Sequence, residues 1–155
     1  MAIRNIRLDD DPILRKKSRE VTEFNERLFT LLDDMKETMY QAEGVGLAAV
    51  QVGVLKRVVV IDCGDNYIEL INPEIVSVKG HQQKYEGCLS LPHKTAVTER
   101  PMSVKVKAQN RLGEIVEYDG EDLLARCFCH EIDHLDGILF TDRCAKGYKV
   151  EYDPD

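Results

Sequence analysis

The sequence predicts an α+β fold, with antiparallel or mixed β-sheets packed around one central α-helix and a further helix near the N-terminus. Three observations predict it. Short β-branched or alternating stretches outnumber helical ones. These stretches follow one another without the intervening helices that a βαβ arrangement needs. Only two segments carry a clear helical period. At 155 residues, with no repeat and no Pro/Gly/Ser-rich linker, the chain suits one domain over residues 1–155.

The first helix is expected over residues 25–43, where Leu28, Leu31, Leu32, Met35 and Met39 recur at helical spacing. Asn25 can cap its start and Gly44 can end it. This Leu/Met stripe reads as a core-facing side. A small-residue segment, 44–53, leads to Val58–Ile61, a continuous β-branched run typical of a buried strand. Strands at Tyr67–Ile71 and Ile75–Val78 follow, with turns at Gly64-Asp65-Asn66 and Asn72-Pro73. Val104–Ala108 and Glu114–Tyr118 alternate about a hairpin loop at Asn110–Gly113. The second helix should run from about Gly120 to Asp136, capped by Asp119 and stopped by Gly137.

Composition narrows the function classes. A hydrophobic content of 43% suits a globular core, and the formal net charge of −7 argues against sequence-specific nucleic-acid binding. The basic cluster Arg15, Lys16, Lys17 and Arg19 reads as a solvated face. No apolar run long enough to span a membrane is present, and Met1 to Asp11 lacks the apolar stretch of a signal peptide. A cytoplasmic protein without membrane contact is the expectation. Five cysteines, an odd number, argue against a disulfide framework, and most are expected to be small buried hydrophobes.

The chemistry sits on the second helix. Residues 130–134 read His-Glu-Ile-Asp-His. Positions four apart lie one turn apart on one face, so His130 and His134 can converge on one metal ion. Glu131, beside the first histidine, can reach a metal-bound water as general acid/base. The alternative is two surface histidines on an acidic helix. Against it, Leu123, Cys127, His130 and His134 continue one inward stripe. One of Asp133 and Asp136 could orient a histidine ring as a hydrogen-bond acceptor, but both face away from that stripe and read as solvated.

A catalytic metal needs a third ligand and an open position. The extended metalloprotease pattern fails because Phe140 stands where its last histidine belongs. Glu151 is the sole later glutamate and is poorly placed. Cys127 lies seven residues before His134, roughly 10 Å along the helix axis, too far to share the ion. Spacing alone does not choose among Cys88, Cys63 and Cys144.

Three segments, Gly44-Val45-Gly46-Leu47-Ala48-Ala49-Val50-Gln51, Glu86-Gly87-Cys88-Leu89-Ser90 and His130-Glu131-Ile132-Asp133-His134, together with the opening Asp11-Pro12-Ile13-Leu14-Arg15, resemble the peptide deformylases in order and spacing. The resemblance spans nearly the whole chain and implies a single catalytic domain built around a metal-binding helix. It implies Cys88, His130 and His134 as metal ligands and Glu131 as acid/base. It gives Gln51 and the Leu89 backbone N–H to the developing oxyanion, and Gly46 to the substrate backbone. It sets Val45, Leu123 and Cys127 near a methionine pocket. The implied cofactor is Fe2+, with Zn2+ or another divalent metal able to substitute. The implied substrates are formyl-methionyl nascent peptides, with a transient ribosome contact. The chain departs from the family pattern at Cys129 (usually glutamine), Val50 (commonly proline) and Thr95 (often arginine). Two other readings are a small zinc peptidase using a third ligand other than Cys88, and a non-catalytic relic. The relic should have lost Glu131 or Gln51, and both are intact.

Overall fold

The structure is a computed structural model describing residues 2–64 and 66–153. Helix α1 spans Glu26–Gln41, and Asn25 caps it by accepting the Leu28 N–H at 3.3 Å. Its end differs from expectation. Glu43, not Gly44, takes the left-handed turn at φ 57°, while Gly44 closes the motif by donating its N–H to the Met39 carbonyl. A Cβ on Gly44 would lie 2.8 Å from the tip of the Leu89 side chain, which would have to shift to accommodate it.

The strands are β1 (Gly46–Ala48), β2 (Val58–Asp62), β3 (Tyr67–Lys79), β4 (Gln82–Cys88), β5 (Leu91–Arg100), β6 (Ser103–Gln109), β7 (Ile115–Glu121) and, after helix α2 (Leu123–His134), β8 (Glu151–Tyr152). They form a five-stranded sheet in the order β1-β2-β3-β6-β7 and a three-stranded sheet β4-β5-β8. Every pairing is antiparallel. The α+β expectation holds.

The larger sheet is buried between the two helices. On one face Val58, Val60, Leu47 and Ile71 meet Leu28, Leu31, Leu32, Met35 and Met39 of α1. On the other, Val59, Ile61, Leu70 and Val106 meet Ala125, Phe128 and Ile132 of α2. Alternate residues of β2 thus serve opposite cores, which is why its sequence is continuously apolar. A smaller cluster, Leu14, Leu91, Ala96, Leu139 and Phe140, ties the three-stranded sheet to the segment after α2.

Other boundaries also differ. The expected strands on either side of Asn72-Pro73 are one strand, β3, whose register shifts between Ile71 and Glu74. Pro73 cannot donate to a ladder, and Asn72 absorbs the irregularity at φ 52°. The Asn72 side chain bonds both the N–H and the carbonyl of Val21. The expected turn at residues 64–66 includes Asp65, which lies outside the described residues. Asp119 and Gly120 belong to β7 rather than to a helix start, because the β6–β7 ladder continues to Ser103 opposite Glu121. Helix α2 begins only at Leu123. A Cβ on Gly120 would come 2.7 Å from the Phe128 ring, so glycine there lets α2 settle on the strand. Gly137 does stop α2, at φ 73° with its N–H on the His134 carbonyl.

Candidate metal centre

Helix α2 presents His130 and His134 one turn apart, their ring centroids separated by 5.1 Å. Cys88 comes from the other sheet, at the β4 end where the hairpin register shifts and Cys88 pairs with Leu91. One donor atom from each of Cys88, His130 and His134 lies within 4.8 Å of the others. The Cys88 Sγ is 3.4 Å from His134 Nε2. His130 Nδ1 is occupied by Glu86 Oε1 at 3.0 Å, which turns Nε2 towards the other two donors. One thiol from a strand and two imidazoles from helix α2 form a donor set suited to a divalent transition metal. Burial, then the neighbouring His130, holds His134 well below the ordinary histidine value, so it stays a neutral ligand donor.

Glu131 is 4% exposed, with Oε2 4.0 Å from His130 Nε2. Among the described residues its Oε1 is buried without a hydrogen-bond partner. Burial pushes its carboxyl up to about 7, against the opposing pull of His130. A carboxyl of that kind can both take and return a proton near neutral pH. Gly46 on β1 makes room for it, since a Cβ on Gly46 would come 2.5 Å from Glu131 Oε2.

Gln51 lies in a short 3-10 turn, Ala49–Val52, directly after β1. Its Oε1 accepts the Ala48 N–H at 2.9 Å, and its Nε2 donates to Ser90 Oγ at 3.0 Å and towards Cys88 Sγ at 3.5 Å. The amide is therefore fixed at both ends with its N–H side turned to the metal donors. Leu89 occupies the turn between β4 and β5, beside Cys88.

These groups open into a cleft of about 470 Å³ whose lining includes Val45, Gly46, Gln51, Cys88, Leu89, Leu123, Cys127, His130 and Glu131. Its size and mixed lining suit a small-molecule or peptide-end ligand. Val45 and Leu123 form a half-open apolar lip, and Cys127 is buried in the wall. All the candidate residues named from sequence, except His134, thus line one cleft, and His134 stands behind it at 1% exposure.

The family is decided by comparison with known proteins. A family model described as polypeptide deformylase matches residues 3–150. The chain belongs to the polypeptide deformylase family. A peptide deformylase of Alkaliphilus metalliredigens is 63% identical over 146 residues, covering 94% of this chain and 99% of the relative. One from Acetivibrio thermocellus is 62% identical, covering 92% and 84%. Among solved structures, the deformylase of Thermotoga maritima superposes with a TM-score of 0.91 at 44% identity, covering 94% of this chain and 99% of that one. That of Synechococcus elongatus, solved in complex with actinonin, superposes with a TM-score of 0.88 at 39% identity, covering 92% and 79%. This deformylase is a metal-dependent hydrolase that removes the N-formyl group from the formyl-methionine of nascent polypeptides.

Sequence reasoning left several members of the site without a role. Glu86 is the partner of His130, and Arg100 donates to both Glu86 oxygens and to Asp133 at 2.7 Å. Burial alone would raise the Glu86 carboxyl, but His130 and then Arg100 outweigh it and hold it down at about 2. Asp133 was expected to be solvated. It is instead largely enclosed, gripped by Arg100 and by Arg143. Asp136 matches its expectation better, half-open and paired with Arg57. Glu86 stands inside the quoted Glu86–Ser90 segment. Arg100 had no signal at all, because its partners lie 14 and 33 positions away.

Proposed function

We propose that Cys88, His130 and His134 hold the deformylase's divalent metal, ferrous iron in the native enzyme with zinc able to substitute, and that Glu131 is its general acid/base. The observation that carries this reading is the convergence of the three donors beside a buried carboxylate oxygen that has no partner among the described residues. A divalent ion there supplies Lewis-acid chemistry and brings the ionisation of water into the neutral range. Glu131 takes the proton of the attacking water as its oxygen bonds to the formyl carbon. It then passes that proton to the amine nitrogen as the C–N bond breaks, so formate and a free N-terminus leave. Negative charge builds on the formyl oxygen. The Gln51 Nε2–H and the Leu89 backbone N–H face that charge, and such a donor is typically worth about 10²–10³ in rate. Ser90 keeps the Gln51 amide from rotating away. Gly46 bonds the substrate backbone, and Val45, Leu123 and Cys127 enclose the methionine side chain.

The reading extends to one catalytic domain over residues 1–155, acting in the cytoplasm in transient contact with the ribosome. No sequence-specific nucleic-acid binding is involved. In support, no helix among the described residues is long and apolar enough to cross a membrane. The test is hydrolysis of formyl-Met-Ala-Ser by anaerobically prepared ferrous protein, with formate and free amine both measured. Stoichiometric formate without internal cleavage is expected, and internal cleavage in its place would favour a peptidase. Cys88→Ala is expected to lose the metal at neutral pH, and full metal occupancy in that variant would refute the ligand set.

A further inference from the structure

We propose that Cys63 and Cys127 form a reversible redox site, a dithiol that hydroperoxides or diazene oxidants close to a disulfide, thereby reshaping the pocket beside the metal centre. The two sulfurs lie 3.1 Å apart, although their residues are 64 positions apart in the chain. A disulfide needs about 2.05 Å, so the sulfurs must approach by only about 1 Å. Cys63 directly follows β2, and the next residue, Gly64, has open space around it, with nothing within 4 Å of a would-be Cβ. The segment bearing Cys63 therefore has room to yield, while Cys127 is anchored in α2.

The two thiols have different chemical roles. Cys127 is buried, and its neighbour Cys63 together with burial pushes its thiol well above the ordinary value, so it is a poor first nucleophile. Cys63 is half-buried and meets the oxidant. Its sulfur attacks one oxygen of a hydroperoxide, breaking the O–O bond to give a sulfenic acid and an alcohol or water. The Cys127 sulfur then displaces the sulfenic oxygen as water. With diamide the Cys63 sulfur instead adds across the N=N bond and the Cys127 sulfur displaces the hydrazine, so in either case two thiols lose two protons and two electrons and the oxidant takes up both.

The consequence for the pocket rests on the substrate reading above. Cys127 lines the cleft, and His130 follows it by three residues on the same helix. On the other side Asp62, next to Cys63, donates its N–H to the Val45 carbonyl at 2.9 Å. Val45 also lines the cleft. Drawing Cys63 to Cys127 therefore pulls on two lining residues, Cys127 directly and Val45 through Asp62.

The test uses zinc-loaded protein, since zinc is not itself oxidised, treated with diamide and mapped by mass spectrometry after alkylation and trypsin digestion. A peptide joining Cys63 to Cys127 is expected, with the KM for a formyl-Met peptide rising about tenfold, the scale of a small change in an apolar pocket. Dithiothreitol should reverse both. Cys63→Ala should keep the reduced enzyme's activity and lose the diamide effect on KM. Absence of the joined peptide while other thiols react overturns the site, and a joined peptide with unchanged KM overturns its effect on the pocket. Activity of the reduced enzyme is read first, so a failure of the deformylase site is seen separately from a failure of the thiol pair.

Discussion

The two helices pack on opposite faces of the same sheet, and both end in the same left-handed hydrogen-bonded turn. Their buried faces differ. Helix α1 buries leucines and methionines, and its buried Asp34 is answered by the Ala2 N–H at 2.7 Å and by Arg4, while one oxygen of its half-buried Glu37, Oε2, has no partner among the described residues. Helix α2 buries Cys127, Cys129, Glu131 and His134 among its apolar residues, and among the described residues Glu131 Oε1 and His134 Nδ1 have no partner. Burial is the largest influence on both carboxyls and would raise each. For Asp34 its partners win and the pKa falls, whereas for Glu131 burial wins and the pKa rises to about 7. An unanswered polar group in a core costs stability. Both helices carry one, at Glu37 Oε2 on α1 and at Glu131 and His134 on α2, but only on α2 do the unanswered atoms stand among the three converging donor residues.

The sharpest way to break this contrast is Glu131→Ala. It should lower kcat by about 10²–10⁴ while the metal stays bound, which single-turnover kinetics with metal analysis will check. Metal loss would mean that Glu131 is a ligand. The counterpart on α1 is Met35→Ala, a residue with no exposed surface. It should cost about 2–5 kcal/mol in denaturant unfolding and leave kcat/KM of the folded enzyme unchanged. A large fall in kcat would show that α1 is not a passive support. Glu86→Gln should lower metal affinity about 10- to 100-fold through loss of the His130 orientation, measured by competition with a chelator. Unchanged affinity would show that the His130 ring is held by packing alone.

The smallest effect concerns pH. In the folded state the Ala2 N–H and Arg4, outweighing burial, hold the Asp34 carboxyl below the ordinary aspartate value of 3.8. Its contribution is therefore present above that value and is lost as pH falls through the folded pKa. The stability gap between the parent chain and Asp34→Asn should be constant near neutrality and shrink in acid. A gap that widens as pH falls would reverse the assignment.

Much of this was legible in the chain. The Leu/Met period of α1, the all-apolar run of β2 and the His-Glu-x-x-His spacing are local patterns, and local backbone geometry dictates what they become. Strands β4 and β5 were not visible as strands. Gln82–Cys88 is largely polar because much of it faces solvent, so its pairing with Leu91–Arg100 left no hydrophobic alternation to read. Helix α2 was expected to begin too early because Asp119 resembles a cap, whereas the ladder with Ser103 and Val104 held that stretch as strand.

By itself the sequence determined the two histidines on one helical face, the glutamate between them and the class of fold, because these depend on periods of a few residues. Resemblance to a family singled out Cys88 and Gln51, which spacing could not. Only the tertiary structure decided that Glu86 and Arg100 brace His130, that Asp133 is enclosed, and that Cys63 touches Cys127. Those contacts join residues on different strands and helices, and their proximity depends on how two sheets and two helices pack rather than on any local pattern.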